Sequence, residues 1–286
     1  MKIVIQHLTG ISDATAHALL DSFPGAAERL NDRAWVVRHT LFTAAQKREL
    51  IEHAHAQQID VACLERDITW ADFKVLAMDM DSTLINIECV DEIADAAGRK
   101  AEVAAITEAA MQGVITDYKE SLRQRVALLR GVPVSHMEQV VLHRMRFNPG
   151  VRELIHACRN AGLATLLVSG GFTFFADRVK AQLGIQFARA NVLDIENGLL
   201  TGRMVDQVWG DICDGAEKRR TLLEVASLLG LAPEQTIAVG DGANDLPMME
   251  AAGLSVAFHA KPSVRAQAQV AINSGGLDRL LEVLQP

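Results

Sequence analysis

Val75-Leu76-Ala77-Met78-Asp79-Met80-Asp81-Ser82-Thr83 is the stretch on which the reading of this chain turns. Its first four residues form a short apolar run, which reads as a buried strand. The strand ends by delivering two carboxylates, Asp79 and Asp81, into a turn. Burying paired carboxylates at a strand end is costly unless a cation or a bound ligand compensates them. The run therefore predicts a sheet and, at its edge, a site.

Working outward, similar apolar runs predict strands at 163–168, 236–240 and 254–258, with helical patterns between them. One helix is expected over 149–161, opened by Pro149 and stopped by Gly162. Alternating strand and helix imply a doubly wound, Rossmann-like α/β fold, a mostly parallel sheet covered on both faces. The helical stretch from Glu88 to Arg144 is longer than a crossover needs. It reads as a cap, about 88–144, inserted over the C-terminal edge of the sheet in a domain spanning 69–286. Glu196 to Thr201 reads as a hairpin with no chemistry of its own.

Residues 1–68 read as a separate unit. Strands are expected at Lys2–Gln6, near Glu28–Leu30, at Trp35–Val37 and at Ile59–Cys63, with helices capped by Ser12 and Thr43. That β-α-β-β-α-β order is the ferredoxin-like pattern. It resembles the ligand-sensing ACT-type domains attached to amino-acid enzymes, which implies a regulatory unit that binds serine. An appendage for folding or for a homodimer reads equally well.

The chain has 286 residues, 49% hydrophobic and 22% charged, with a net charge of −8. An acidic chain without a basic run is a poor partner for nucleic acid. No window approaches the ~20 apolar residues of a membrane span, and the short apolar start is too brief for a signal peptide. Cys63, Cys89, Cys158 and Cys213 form no CxxC pair, which argues against zinc or a disulfide framework. A cytoplasmic protein is expected.

Three further polar signals fall at or near strand ends: Ser169-Gly170-Gly171, Gly240-Asp241-Gly242-Ala243-Asn244-Asp245, and Lys218 in the preceding helical run. In a doubly wound sheet the strand C-termini converge on one crevice, so these pieces can meet. A serine hydroxyl and the N–H groups of a glycine turn make an anion cradle, and Lys218 adds a full positive charge. Asp79 and Asp241 are hard oxygen ligands suited to Mg²⁺. The chemistry such a set suits is attack on phosphorus by a carboxylate.

These four motifs, in this order, resemble those of the haloacid dehalogenase-type phosphatases, over about residues 72–286. Glu88, the Ser121–Val126 run and Ser169-Gly-Gly-Phe172 point to the branch acting on O-phospho-L-serine. The resemblance implies that Asp79 attacks phosphorus and forms an aspartyl phosphate, while Asp81 acts as general acid and then base. It implies that Asp79, the backbone carbonyl of Asp81 and Asp241 hold Mg²⁺, with Asn244 and Asp245 supporting them. Ser169, Gly170 and Lys218 would hold the phosphoryl group, with Asn244 at the substrate. Glu88 and Arg125, from the cap, would read the substrate's ammonium and carboxylate, and Met111 and Tyr118 would line the pocket. The implied activity is release of L-serine, the last step of serine synthesis. A phosphotransferase or a phosphatase for another small phosphomonoester is the alternative, and a non-catalytic amino-acid-binding regulator is a third.

Each residue also has a plainer reading. Asp-x-Asp is frequent at loops and caps, Ser-Gly-Gly is an ordinary turn, and a Lys-Arg-Arg run is usually a solvated helix face. Asn244 and Asp245 can simply cap a helix, and Glu88 and Arg125 can be surface residues. Asp91, Glu92 and Asp95 are expected on a solvated face, and Arg123 and Arg130 in solvent. His53 and His55, two apart on a helix, diverge and should not chelate a metal. Met248 and Met249 read as core.

Overall fold

Strand β1 (Lys2–Gln6) has all five residues buried, because both faces of its sheet are covered. The computed structural model describes residues 1–111 and 115–286, without the side chain of Met111. After β1 come α1 (Asp13–Leu20), β2 (Ala27–Asn31), β3 (Ala34–Val37), α2 (Ala44–His55) and β4 (Asp60–Leu64). The expected caps are present. The Ser12 side chain accepts from the Thr15 N–H, and Thr43 forms a capping box with Gln46. The four strands pair antiparallel in the order β2-β3-β1-β4.

Side chains alternate across a strand, and here the alternation sorts two cores. Ile3, Ile5, Trp35, Val37 and Cys63 pack with Leu19, Leu20 and Leu50 of α1 and α2. Val4, Val36, Ala62 and Leu64 join the large core of the remainder of the chain. Lys2 and Gln6 share the face of Val4 and make buried bonds there. Lys2 donates to the Ile68 and Gln285 carbonyls, and Gln6 to the Arg279 carbonyl and the Glu282 carboxylate. Asp60 accepts from the Asn273 and Ser274 backbone N–H groups. Burying Val4, Val36 and Leu64, at roughly 1.5–3 kcal/mol each, makes this junction a continuous core and not a tether.

The second sheet opens with β5 (Val75–Met78), followed by four helices: α3 (Cys89–Ala96), α4 (Lys100–Met111), α5 (Tyr118–Ala127) and α6 (Val134–His143). Next come α7 (Val151–Asn160), β6 (Ala164–Phe172), α8 (Thr173–Leu183), β7 (Phe187–Glu196) and β8 (Leu199–Val205). The chain continues with α9 (Gly215–Leu228), β9 (Thr236–Gly240), α10 (Leu246–Ala251) and β10 (Leu254–Phe258). It closes with α11 (Pro262–Arg265), β11 (Val270–Ile272) and α12 (Arg279–Val283). The strand order is β11-β10-β9-β5-β6-β7-β8, parallel except for β8. In β5, Leu76 and Met78 face one core while Val75 and Ala77 face the other. That is the two-sided burial expected of a parallel sheet.

Most boundaries shift by a residue or so; β6, α7 and β11 differ in ways that bear on the site or the packing. β6 does not stop at 168 but stays extended through Ser169-Gly170-Gly171 to Phe172, so the glycines form no turn and α8 starts only at Thr173. α7 is capped by Gly150 at φ 77°, a conformation glycine tolerates; a Cβ there would overlap Asp278. β11 was not foreseen, being three residues long. The hairpin is present, with Asn197 and Gly198 both at positive φ between β7 and β8. No helix among the described residues is long and apolar enough to cross a membrane.

Candidate active site

β5 lies between β9 and β6, so the ends of the three central strands converge. The ladder carries on one step past β5, where the Asp79 N–H donates to the Val239 carbonyl at 3.0 Å. The chain then turns through Ser82 at φ 56°, a left-handed conformation uncommon for a residue with a side chain. Asn148 braces that turn by donating to the Ser82, Thr83 and Ile85 carbonyls.

A cavity of ≈ 590 Å³ opens above these ends. Asp79, Asp81, Ser169, Gly170, Asp241 and Asn244 line it from the sheet side, and Glu88 and Arg125 from the helices α3 and α5. Lys218 and Asp245 are not at its surface. Both are fully buried behind Asp79, with Lys218 Nζ 2.6 Å from Asp79 Oδ1 and 2.6 Å from Asp245 Oδ1. The Lys-Arg-Arg run is therefore not a solvated face at its first residue. Burial opposes the Lys218 charge, but Asp245 and Asp79 outweigh it and hold the ammonium well above its ordinary pKa. Asp245 Oδ2 accepts from the Asp241 and Gly242 N–H groups, which shapes the loop after β9.

The carboxylates crowd one another. Burial, then Asp245, raises the Asp79 carboxyl well above its usual range, against the pull of Lys218. Asp241 is pushed up to about 7 by burial and then by Asp245. Asp81 is pushed up to about 7 by burial and then by Glu88, although the Cys89 N–H and thiol both donate to it. Ligand oxygens of Asp79, Asp241 and Asp245 lie within 4.8 Å of one another. Such a set of hard oxygens, whose repulsion Lys218 offsets only in part, is one that could hold a divalent cation. Thr83 donates to Asp241 Oδ1 at 3.2 Å.

Glu88 stands at the N-cap position of α3, and its side chain, free of the helix N–H groups, accepts from Ser82 Oγ at 2.7 Å. Burial raises its carboxyl. Arg125 Nε is buried without a hydrogen-bond partner. Asp91 corrects an expectation: Glu92 and Asp95 pair with Arg144 at the surface, but Asp91 lines the cavity. Its Oδ1 is buried and unpartnered, and burial raises its pKa. Lying one helical turn after Glu88, it shares that residue's face, which spacing alone could have signalled. Arg123 lies on α5 in an ion pair with Asp211, and Arg130 is exposed. Tyr118 also lines the cavity, its hydroxyl close against Gly170. The expectation for Met111 falls outside the described side chains.

The family described as haloacid dehalogenase-like hydrolase matches residues 76–250. A phosphoserine phosphatase of Albidiferax ferrireducens is 73% identical over 216 residues, 76% of this chain and 91% of that protein. This chain belongs to the haloacid dehalogenase-like hydrolases, in their phosphoserine phosphatase family. A solved hydrolase of the same family from Salmonella enterica serovar Typhi superposes with a TM-score of 0.87 at 31% identity, covering 99% of this chain and 98% of that one. A phosphoserine phosphatase solved as an analogue of its phospho-aspartyl intermediate covers 74% of this chain and 99% of its own, at TM-score 0.69 and 38% identity. The two phosphoserine phosphatases thus match about three-quarters of this enzyme.

Proposed function

We propose that this enzyme hydrolyses O-phospho-L-serine to L-serine and phosphate in a Mg²⁺-dependent reaction, the last step of serine synthesis, in the cytoplasm. The observation that carries the substrate is the cavity's lining. The strand ends contribute a carboxylate cluster able to face a phosphoryl group and its metal, and the helices contribute Glu88 and Arg125, whose Nε is buried without a partner. Glu88 suits an ammonium, and the planar guanidinium of Arg125 suits a carboxylate. The family relatives named as phosphoserine phosphatases support the same reading.

The donors fit Mg²⁺. Asp245 has both oxygens occupied, whereas Asp79 and Asp241 each engage one oxygen with Lys218 and Thr83. We read Asp79, Asp241 and the Asp81 carbonyl as the ion's ligands, with Asn244 and Asp245 supporting them. Bound there, Mg²⁺ supplies the positive charge that lets a carboxylate approach a phosphate dianion. Asp79 attacks phosphorus, forming an aspartyl phosphate as the bond from phosphorus to the serine oxygen breaks. Asp81, a carboxyl poised near neutrality, gives its proton to that departing oxygen. It then takes a proton from the water that attacks the aspartyl phosphate and restores Asp79. Ser169 and Gly170 hold the phosphoryl oxygens throughout, while Lys218, expected beside them, acts from behind Asp79, orienting that carboxylate and lending its charge to the site.

Residues 88–144 serve in this reading as a cap that shields the intermediate from bulk water. Residues 1–68 are an ACT-type unit, a reading supported by their strand order, and we assign them a serine site. Titrating L-serine into full-length Arg125→Ala tests that site, since the active site has then lost its carboxylate reader. Stoichiometric binding supports it, and no binding removes it. The function itself is tested by phosphate release from phosphoserine, phosphothreonine, phosphoethanolamine, a sugar phosphate and an aryl phosphate, with Mg²⁺ and with chelator. A Mg²⁺-dependent preference for phosphoserine is expected; equal rates across the panel would discard the substrate and keep the chemistry.

A further inference from the structure

β6 leaves its ladder with β7 where the phosphoryl site begins. Val168 pairs with Arg189 and Phe172 with Asn191, so four steps along β6 answer two along β7. The buried backbone of Ser169–Gly171 is thereby thrown out of register and needs partners from elsewhere. Asn191, itself 1% exposed, provides them. Its Nδ2 donates to the Gly170 carbonyl at 2.8 Å, and its Oδ1 accepts from the Cys213 N–H at 2.8 Å. One side-chain amide replaces a missing rung, with one donor and one acceptor.

The Gly170 carbonyl and the Gly171 N–H lie in one peptide plane, so anchoring the first orients the second. The Gly171 N–H donates to Ser169 Oγ at 2.8 Å. That contact fills one lone pair of the hydroxyl and turns its own proton away from Gly171. Ser169 lines the cavity together with Asp79 and Asp81. We propose that Asn191 is a positioning residue of the phosphoryl site: through the Gly170–Gly171 peptide it aims the Ser169 O–H at a phosphoryl oxygen. The inference rests on the reading above that Ser169 holds the phosphoryl group.

A double-mutant cycle on the full-length enzyme with Mg²⁺ tests it. Asn191→Asp keeps the shape and the acceptor for Cys213 but sets a carboxylate oxygen against the Gly170 carbonyl. It should lower kcat by about 100-fold, to the same degree on phosphoserine and on an aryl phosphate, because both present the same phosphoryl group. In the Ser169→Ala background the same change should cost less than about threefold. Asn191→Ser serves in the cycle if the aspartate variant does not melt cooperatively. Equal losses in both backgrounds, a loss confined to phosphoserine, or failure of both variants to fold overturns the proposal and leaves Asn191 an ordinary structural residue. Full activity of Ser169→Ala alone would instead overturn the reading of Ser169, and the proposal with it.

Discussion

Lys218 shows why a single residue can be legible in type and illegible in place. The motif order marked it, yet its neighbours in sequence, Arg219 and Arg220, suggested a wet helix face; its partners Asp79 and Asp245 lie 139 and 27 residues away. Asp91 failed for the opposite reason, since its acidic neighbours do face solvent and hid the one that does not. Asp79→Asn should lower turnover by more than roughly 10⁴-fold, because an amide is no nucleophile. Its melting temperature should stay within about 5 °C of the parent, since the change also relieves carboxylate repulsion. A variant that keeps turning over would remove Asp79 from the chemistry. Arg125→Ala should cost roughly 10²–10⁴-fold in kcat/KM on phosphoserine, the worth of two charge-assisted hydrogen bonds, and under about tenfold on an aryl phosphate. Asp91 and Arg125 each carry an unpartnered buried atom in the cavity region, so Asp91→Asn should share that bias, at about tenfold. Equal losses on the two substrates would detach either residue from serine recognition.

At the scale of elements, most of the site came from strand ends, and strand ends were legible: β5, β9 and β10 lie within a residue of expectation. β6 was not, because two consecutive glycines after a serine have the composition of a turn. What selects glycine there is tertiary, namely the approach of Tyr118 at the start of α5. A Cβ on Gly170 would overlap the Tyr118 hydroxyl, so only a glycine lets strand and helix meet there. Gly170→Ala should therefore lower kcat by about 100-fold, and Tyr118→Phe, by removing the oxygen, should restore at least about tenfold of it. Purely additive losses in the double variant would show that the clash is not what glycine avoids. The cap's helices were legible as a long helical stretch, whereas their individual boundaries were not.

For the molecule as a whole, the order of elements could be read along the chain, but the way the two sheets are joined could not. Lys2 and Gln6 look like the polar ends of an exposed strand; in fact they are buried on the face that β1 shares with the larger core. Burial, and secondarily Arg38, lowers Lys2 to about 8 from 10.5. Between those values the unfolded chain holds a proton that the folded one has released, so the Lys2 contribution to stability grows as pH rises through that window and is absent below it. The stability of the parent relative to Lys2→Met, followed by denaturant titration, should thus improve by about 3 kcal/mol from pH 8 to pH 10.5. A difference that does not change with pH would mean that burial does not depress this lysine. The shared face also has a consequence for synthesis on the ribosome. α1 and α2 can cover one side of the small sheet as soon as β4 emerges, but Arg279, Glu282 and Gln285, which close the other side, come more than two hundred residues later. At roughly 5–20 residues per second, Val4, Val36 and Leu64 stay uncovered for on the order of ten to forty seconds. Nascent chains stalled in that interval should recruit a chaperone through this sheet, and a charged residue at Val36 should weaken the capture.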